Sequence, residues 1–327
     1  MKKYIFISIF ICLETILLFF IIVLGLKILR LHEEKVKGVQ YVTRIDKNNV
    51  IFDDSKLKYF YEPKPNSIET AHPDWLGYTA TYTINSDSLN SKSDYSIQKD
   101  ATTYRIITLG DSFTFGEYVN TEDNYPSILE KLLNNRLTCS NIKKFEVINL
   151  GVGGYDIEYE IARYRKRGVK YNPNLLIWLV SEGNFTIINE KVRPDTFKFN
   201  SKGIIEEDPI TKRSIARVQA IGETQKKLGL TYIINHQLNN LTKIFSIYSH
   251  NILILNYYSM STSIMEGIHS ISKENNKIVF INNLIPELEN DLYHLADRHP
   301  NTEGHKIIAE DIFNYLVKNY FQDCNFK

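Results

Sequence analysis

Cysteine is nearly missing, with three in 327 residues. Cys12 lies in an apolar N-terminal run, which leaves Cys139 and Cys324 as the only pair able to bridge the rest of the chain. Two cysteines in so large a body make no disulfide framework, and neither stands at metal-ligand spacing, so free structural thiols are expected. A basic block, an acidic tail, an internal repeat and a low-complexity tract are also missing. With 39 Lys and Arg against 38 Asp and Glu, net charge is +1, and no nucleic-acid partner is expected. Neither G-x-G-x-x-G nor a P-loop lysine occurs, which removes two common phosphate-binding fingerprints. What remains, 43% hydrophobic and 24% charged, is ordinary globular composition with enough length for one sizeable core and an extra segment.

The N-terminus carries the one long apolar run. Tyr4 to Leu26 lies between lysines with Glu14 as its single internal charge. At ~1.5 Å per residue a helix of this length spans the ~30 Å hydrocarbon layer. The run is too long for a signal peptide and has no small-x-small cleavage site, so a single-pass, uncleaved anchor is expected over 1–30. Glu14 would cost on the order of 3 kcal/mol if charged at the bilayer centre, so it is expected protonated or turned toward another helix. Lys27, Arg30, Lys35 and Lys37 follow the span, and a literal positive-inside count would retain the body in the cytoplasm. Long domains translocate despite such flanks.

Residues 31–100 read as a membrane-proximal extension packed on the main body. "YEPKPNS" (Tyr61 to Ser67) is extended chain, and "YTATYTINSDS" (Tyr78 to Ser88) alternates like a strand. From residue 101 to 327, strands alternate with helices: "YRIITLG", "FEVINLG", "LLIWLV", "NILIL" and "KIVFI" are the strand candidates. The helical candidates include "DIEYEIARYRKRG" and a last helix from Thr302 to Tyr320, with Asn301 as its N-cap. Such alternation gives an α/β fold with a mostly parallel sheet covered on both faces. Ligands bind such sheets beyond the carboxyl ends of the strands, which directs attention to the exit loops.

Four of these loops carry chemistry. "LGDSFTFG" puts Ser112 just past a strand end, although Gly-Asp-Ser alone arises by chance in roughly one chain in ten and a capping serine is the plainer reading. "NLGVGGYD" (Asn149 to Asp156) offers backbone N–H groups with little side-chain cover, suited to an oxyanion or to tight packing. "WLVSEGNFT" places Asn184 beyond a buried strand, where its carboxamide could donate to the same oxyanion or cap a turn. "HLADRHPNTEGH" holds His299 in a loop. If Asp297 to His299 is extended, residues i and i+2 point the same way, and Asp297 can fix the imidazole tautomer so that Nε2 faces Ser112.

In this order the four segments resemble the SGNH/GDSL hydrolase family over about Tyr104 to Tyr320. The resemblance implies a flavodoxin-like three-layer α/β/α sandwich. It implies Ser112 as nucleophile, His299 and Asp297 as base and orienting acid, and Ser112, Gly154 and Asn184 as the oxyanion hole. "SDSLNS" (Ser86 to Ser91) and "YVNTEDNYPSILEKLL" resemble bacterial members with an N-terminal extension. Two departures stand out. The third block is Glu-Gly-Asn-Phe rather than Gly-x-Asn-Asp, and the acid of Asp-x-x-His would fall on Ala296. Asp291 and His294 do fit Asp-x-x-His and form a rival pair, but His299 has the HPN-x-x-GH context.

The activity implied is ester hydrolysis through an acyl-serine, removing small acyl groups such as acetyl from a glycan or small molecule, without metal or organic cofactor. The alternatives are acyl transfer to envelope glycans from the same intermediate, and a degenerate module that binds glycan or lipid. An anchored enzyme of this kind is expected to hold its catalytic domain outside the cytoplasm.

Overall fold

The computed structural model describes residues 15–25, 41–42, 57–196, 210–258, 260–285 and 290–327. The expected span from Tyr4 to Leu26 lies partly outside them; residues 15–25 form an exposed helix, α1. Among the described residues no helix is long and apolar enough to cross a membrane.

The extension contributes β1 (Tyr41–Val42), β2 (Glu62–Pro63), and a hairpin of β3 (Ser67–Ala71) and β4 (Ala80–Ile84). The body starts with β5 (Thr103–Leu109), α2 (Ser112–Phe115), α3 (Tyr125–Arg136) and β6 (Leu137–Thr138). It continues through β7 (Lys144–Asn149), α4 (Ile157–Arg163), β8 (Leu175–Val180), α5 (Glu182–Thr186) and α6 (Asn189–Thr196). Then come α7 (Ile210–Leu228), α8 (Leu230–Thr242), β9 (Asn251–Asn256), α9 (Thr262–Glu274) and β10 (Ile278–Ile281). The chain closes with α10 (Thr302–Asn319) and β11 (Asn325–Phe326).

The five strands predicted from the sequence form one sheet in the order β10-β9-β8-β5-β7, every neighbouring pair parallel. Numbered along the chain this is second-first-third-fourth-fifth, the flavodoxin-like order. The continuous apolar run of β8 is explained by burial on both faces, since its residues alternate between two cores. Leu176, Trp178 and Val180 pack toward Ile161 of α4, Ile234 of α8 and Ile264 of α9. Leu175, Ile177 and Leu179 pack toward Leu129 of α3 and Ile312 of α10. The connection after β5 therefore covers one face and that after β8 the other, which opens a crevice at the carboxyl ends of these two neighbours.

Cys139 and Cys324 are joined, with Cα atoms 4.3 Å apart across 185 residues of sequence. The expectation of free thiols is thus corrected. The pairing follows from the fold, because α3 and α10 both start beside the crevice and end together at the opposite rim. There β11 pairs antiparallel with β6.

The extension is bound to the body through buried charge. Glu62 is fully buried and meets Lys166 at 3.0 Å, Arg167 at 2.9 Å, and the Arg163 guanidinium. Burial alone would raise its pKa; the three cations, Arg163 foremost, outweigh burial and hold the carboxyl well below the usual range.

Candidate active site

The turn after β5 is built for close approach. A Cβ on Gly110, whose φ is +150°, would lie 2.2 Å from Thr114 Oγ1 and 2.7 Å from the Leu179 carbonyl oxygen. Asp111 then caps α2 by accepting from the Phe113 N–H at 3.0 Å, and Ser112 becomes the first residue of the helix, partly exposed at the crevice. The glycine block supports this turn from β7. Asn149 Nδ2 donates to the Thr114 carbonyl at 2.9 Å, and a Cβ on Gly151 would meet the Phe115 nitrogen at 2.3 Å. Gly151 thus serves backbone packing rather than a ligand.

His299 reaches Ser112 from the loop before α10. Its Nε2 stands 2.8 Å from Ser112 Oγ, and its Nδ1 stands 2.8 Å from Asp297 Oδ2. A carboxylate at Nδ1 accepts its proton, leaving the Nε2 lone pair to accept from the serine hydroxyl. Asp297 also accepts from the His299 backbone N–H at 3.2 Å. The expectation that 297–299 is extended is corrected: Arg298 has φ +72°, at the end of a turn in which its N–H donates to the Leu295 carbonyl at 3.0 Å. The two side chains meet by a tight turn rather than by strand alternation. The rival pair does not compete, because Asp291 is bonded to the Arg298 guanidinium and His294 Nδ1 faces the Asn290 carbonyl at 3.2 Å.

Burial of the His299 ring disfavours its charged form, but the Asp297 hydrogen bond and the Glu117, Asp297 and Asp111 carboxylates prevail and raise its pKa above 6.5. Glu117 itself is pushed up, mainly by burial and against the pull of His299. The ring is only 19% exposed. Phe113 flanks it with centroids 5.1 Å apart, and Tyr118 stands edge-on at 5.4 Å.

Of the expected oxyanion donors, Gly154 is half-buried with φ +75°, and its peptide is held in place. Tyr61 Oη donates to the Gly153 carbonyl at 2.5 Å, and the N–H on the far side of that trans peptide is Gly154's. Asn184 departs from expectation. It is wholly buried, and its Nδ2 donates to Glu160 Oε1 at 2.8 Å, the Tyr155 carbonyl at 3.1 Å and Asp111 Oδ2 at 3.3 Å. Its Oδ1 accepts from the Ser181 N–H at 2.5 Å, the side-chain half of a capping box at the start of α5. Two N–H bonds shared among three protein oxygens leave none for a substrate, so Asn184 is corrected to a structural brace. The same network holds carboxyls shifted upward: burial and the nearby Asp111 push Glu160 well above 4.5.

No protein-family model and no curated protein matches the chain. Among solved structures it is similar to a two-domain esterase active on acetylated mannans, at 16% identity over 68% of this chain and 51% of that one, with a TM-score of 0.45. It thus spans about half the length of that protein. It is also similar to a putative lipolytic protein of the G-D-S-L family from Desulfitobacterium hafniense, at 19% identity over 64% and 98%, TM-score 0.33. A third is an acetyl-xylooligosaccharide esterase variant from Geobacillus Stearmophilus, at 12% identity over 68% and 98%, TM-score 0.39.

Local sequence pattern does not single out the residues that surround His299 or those that clamp the Gly153 and Tyr118 backbone. Glu117 and Tyr118 directly follow the quoted serine block, and Tyr61, Tyr78 and Tyr82 lie in segments read only as extended chain or strand. The alternation of β4 marks Tyr82 as inward-facing, but nothing local says that its hydroxyl bonds the Tyr118 N–H at 2.7 Å. Among the described residues no group of three His, Cys, Asp or Glu is placed to hold a metal ion.

Proposed function

We propose that this chain is a serine esterase of the SGNH/GDSL type that removes small acyl groups such as acetyl from carbohydrate. The observation that carries the reading is the continuous line from Ser112 Oγ through His299 to Asp297, each link 2.8 Å. His299 Nε2 takes the serine proton as Oγ attacks the ester carbonyl. Asp297 holds the ring and balances the imidazolium charge. The backbone N–H groups of Ser112 and Gly154 receive the oxyanion, with no contribution from Asn184. His299 returns its proton to the leaving alcohol. It then takes one from water, which attacks the acyl-serine, and passes it to Ser112 Oγ as the acid leaves. The rings of Phe113 and Tyr118 crowd the base, which supports a small acyl group over a long chain.

The same reading gives the membrane a role: the N-terminal apolar run tethers a catalytic domain outside the cytoplasm. The Cys139–Cys324 bond supports this side, since structural disulfides persist in oxidising compartments.

The test is labelling of the full chain in detergent with a fluorophosphonate, read by intact mass, with Ser112→Ala and His299→Ala alongside. A single adduct on wild type and none on either variant is expected. A folded wild type that stays unlabelled would sink the reading. Acetate released into water, without acetyl gained by an added sugar, separates hydrolysis from acyl transfer.

A further inference from the structure

Two aromatic steps lead outward from the base. Tyr118 is edge-on to the His299 ring at 5.4 Å, and Trp75 is edge-on to Tyr118 at 4.9 Å. Tyr118 has φ +68°, a conformation that bulky side chains avoid and that persists only where the surroundings enforce it. Here the enforcement comes from the hairpin of the extension. The Tyr118 N–H donates to Tyr82 Oη, and its carbonyl accepts from Tyr78 Oη, both at 2.7 Å. Two more bonds continue the seam: Thr81 N–H to Asn120 Oδ1 at 3.0 Å, and Thr83 N–H to Thr121 Oγ1 at 2.7 Å. The hairpin therefore overrides backbone preference at the residue beside the catalytic base.

The tip of that hairpin is where the large rings face water. Trp75 is 42% exposed and Tyr78 41%, yet both are anchored, one by its contact with Tyr118 and the other through its hydroxyl. Leu76 between them is turned inward at 3% exposure. The tip thus offers flat, fixed aromatic faces without an aliphatic track. That combination suits a pyranose ring, whose C–H face stacks on an indole while its hydroxyls stay hydrated; an acyl chain would need a continuous apolar groove. Rings already held in position lose little freedom on binding.

We propose that Trp75, backed by Tyr118, is a carbohydrate-stacking subsite supplied by the extension, which receives the sugar next to the acylated one. The proposal rests on the esterase reading and deepens it, because it makes the hairpin the part that selects glycan esters over simple ones.

The test uses the full chain with Trp75→Ala and Trp75→Phe, and two kinds of substrate: p-nitrophenyl acetate, and chemically O-acetylated cello-, xylo- and chitohexaose. Trp75→Ala should lower kcat/KM on the best oligosaccharide about tenfold through KM, leave p-nitrophenyl acetate unchanged, and be largely rescued by Trp75→Phe. A parallel loss on both substrates would make Trp75 a prop for Tyr118 and overturn the subsite. Unchanged kinetics on both would overturn it as well. Fluorescence gives an independent readout. The only other tryptophan, Trp178, is wholly buried, so the Ser112→Ala chain titrated with each oligosaccharide should show saturable protection of Trp75 from iodide quenching. Turnover of p-nitrophenyl acetate with no protection and no glycan turnover would refute the subsite and spare the esterase. Saturable protection in a chain that takes no fluorophosphonate would do the reverse.

Discussion

Cutting the Cys139–Cys324 bond tests how much of the fold's stability is stored in the unfolded chain. The bond closes a loop of 185 residues that contains most of the α/β body. Loop-closure entropy for that length is about 18 cal/mol/K, or roughly 5 kcal/mol at 25 °C. Little of this is offset in the folded state, since β11 still pairs with β6 and the Lys327 N–H still donates to the Arg136 carbonyl at 2.9 Å. At about 2–4 °C per kcal/mol for a body of this size, Cys139→Ser/Cys324→Ser should melt roughly 10 °C or more below wild type. Scanning calorimetry with and without reductant is the assay: reductant should lower wild type toward the variant and leave the variant alone. Non-reducing alkylation should find one free thiol, because Cys12 is the third cysteine and the other two are bonded. The clasp lies at the rim opposite Ser112, so ester turnover at 25 °C should persist. A variant melting within about 2 °C of oxidised wild type would refute the entropic reasoning.

Because surrounding carboxylates raise the His299 pKa, activity should rise with pH through a transition above 6.5, where the imidazole becomes neutral. Glu117→Gln removes one of those carboxylates and should move the transition in kcat/KM downward; an upward move or none contradicts the assignment. Glu62→Gln leaves three buried or half-buried cations underpaired and should lower stability by about 3–5 kcal/mol in urea unfolding. Since the folded pKa of Glu62 is depressed, that contribution is present above the ordinary glutamate value and disappears on acidification, so the gap between wild type and variant should narrow at low pH. Asn184→Ala should cost about 2–4 kcal/mol by removing a shared donor from buried Asp111, Glu160 and the Tyr155 carbonyl. A variant of native stability that loses only kcat would return Asn184 to the oxyanion hole.

The sheet was legible because its strands are apolar runs, the first two closed by glycine, and the exit loops follow from strand direction alone. Asn301 caps α10 as read, accepting from the Gly304 N–H at 2.9 Å. His299 and Asp297 were found by context, although the turn at Arg298 was not, since left-handed backbone at an arginine has no local sign. Asn184 misled because its type fits a donor, whereas its place three residues after Ser181 fits a capping box and turns it inward. The cysteine pairing and the tyrosine clamps on Gly153 and Tyr118 join residues far apart in sequence, where local pattern has no reach.

The change of pattern at residue 101 marks a boundary in the sequence that has no counterpart in energy. Asn90 donates to the Phe115 carbonyl at 2.8 Å, in the helix that begins at Ser112, while Asp87 holds Arg167 and Lys170 at 2.8 and 2.7 Å. A fragment beginning at residue 101 would keep Ser112, His299 and Asp297. It would also expose the basic face of α4 and the turn after it, free the peptide beside Gly154, and let Tyr118 relax out of its left-handed state. The smallest autonomous unit is therefore larger than the α/β sandwich, and the extension is part of the scaffold that shapes the Ser112 crevice.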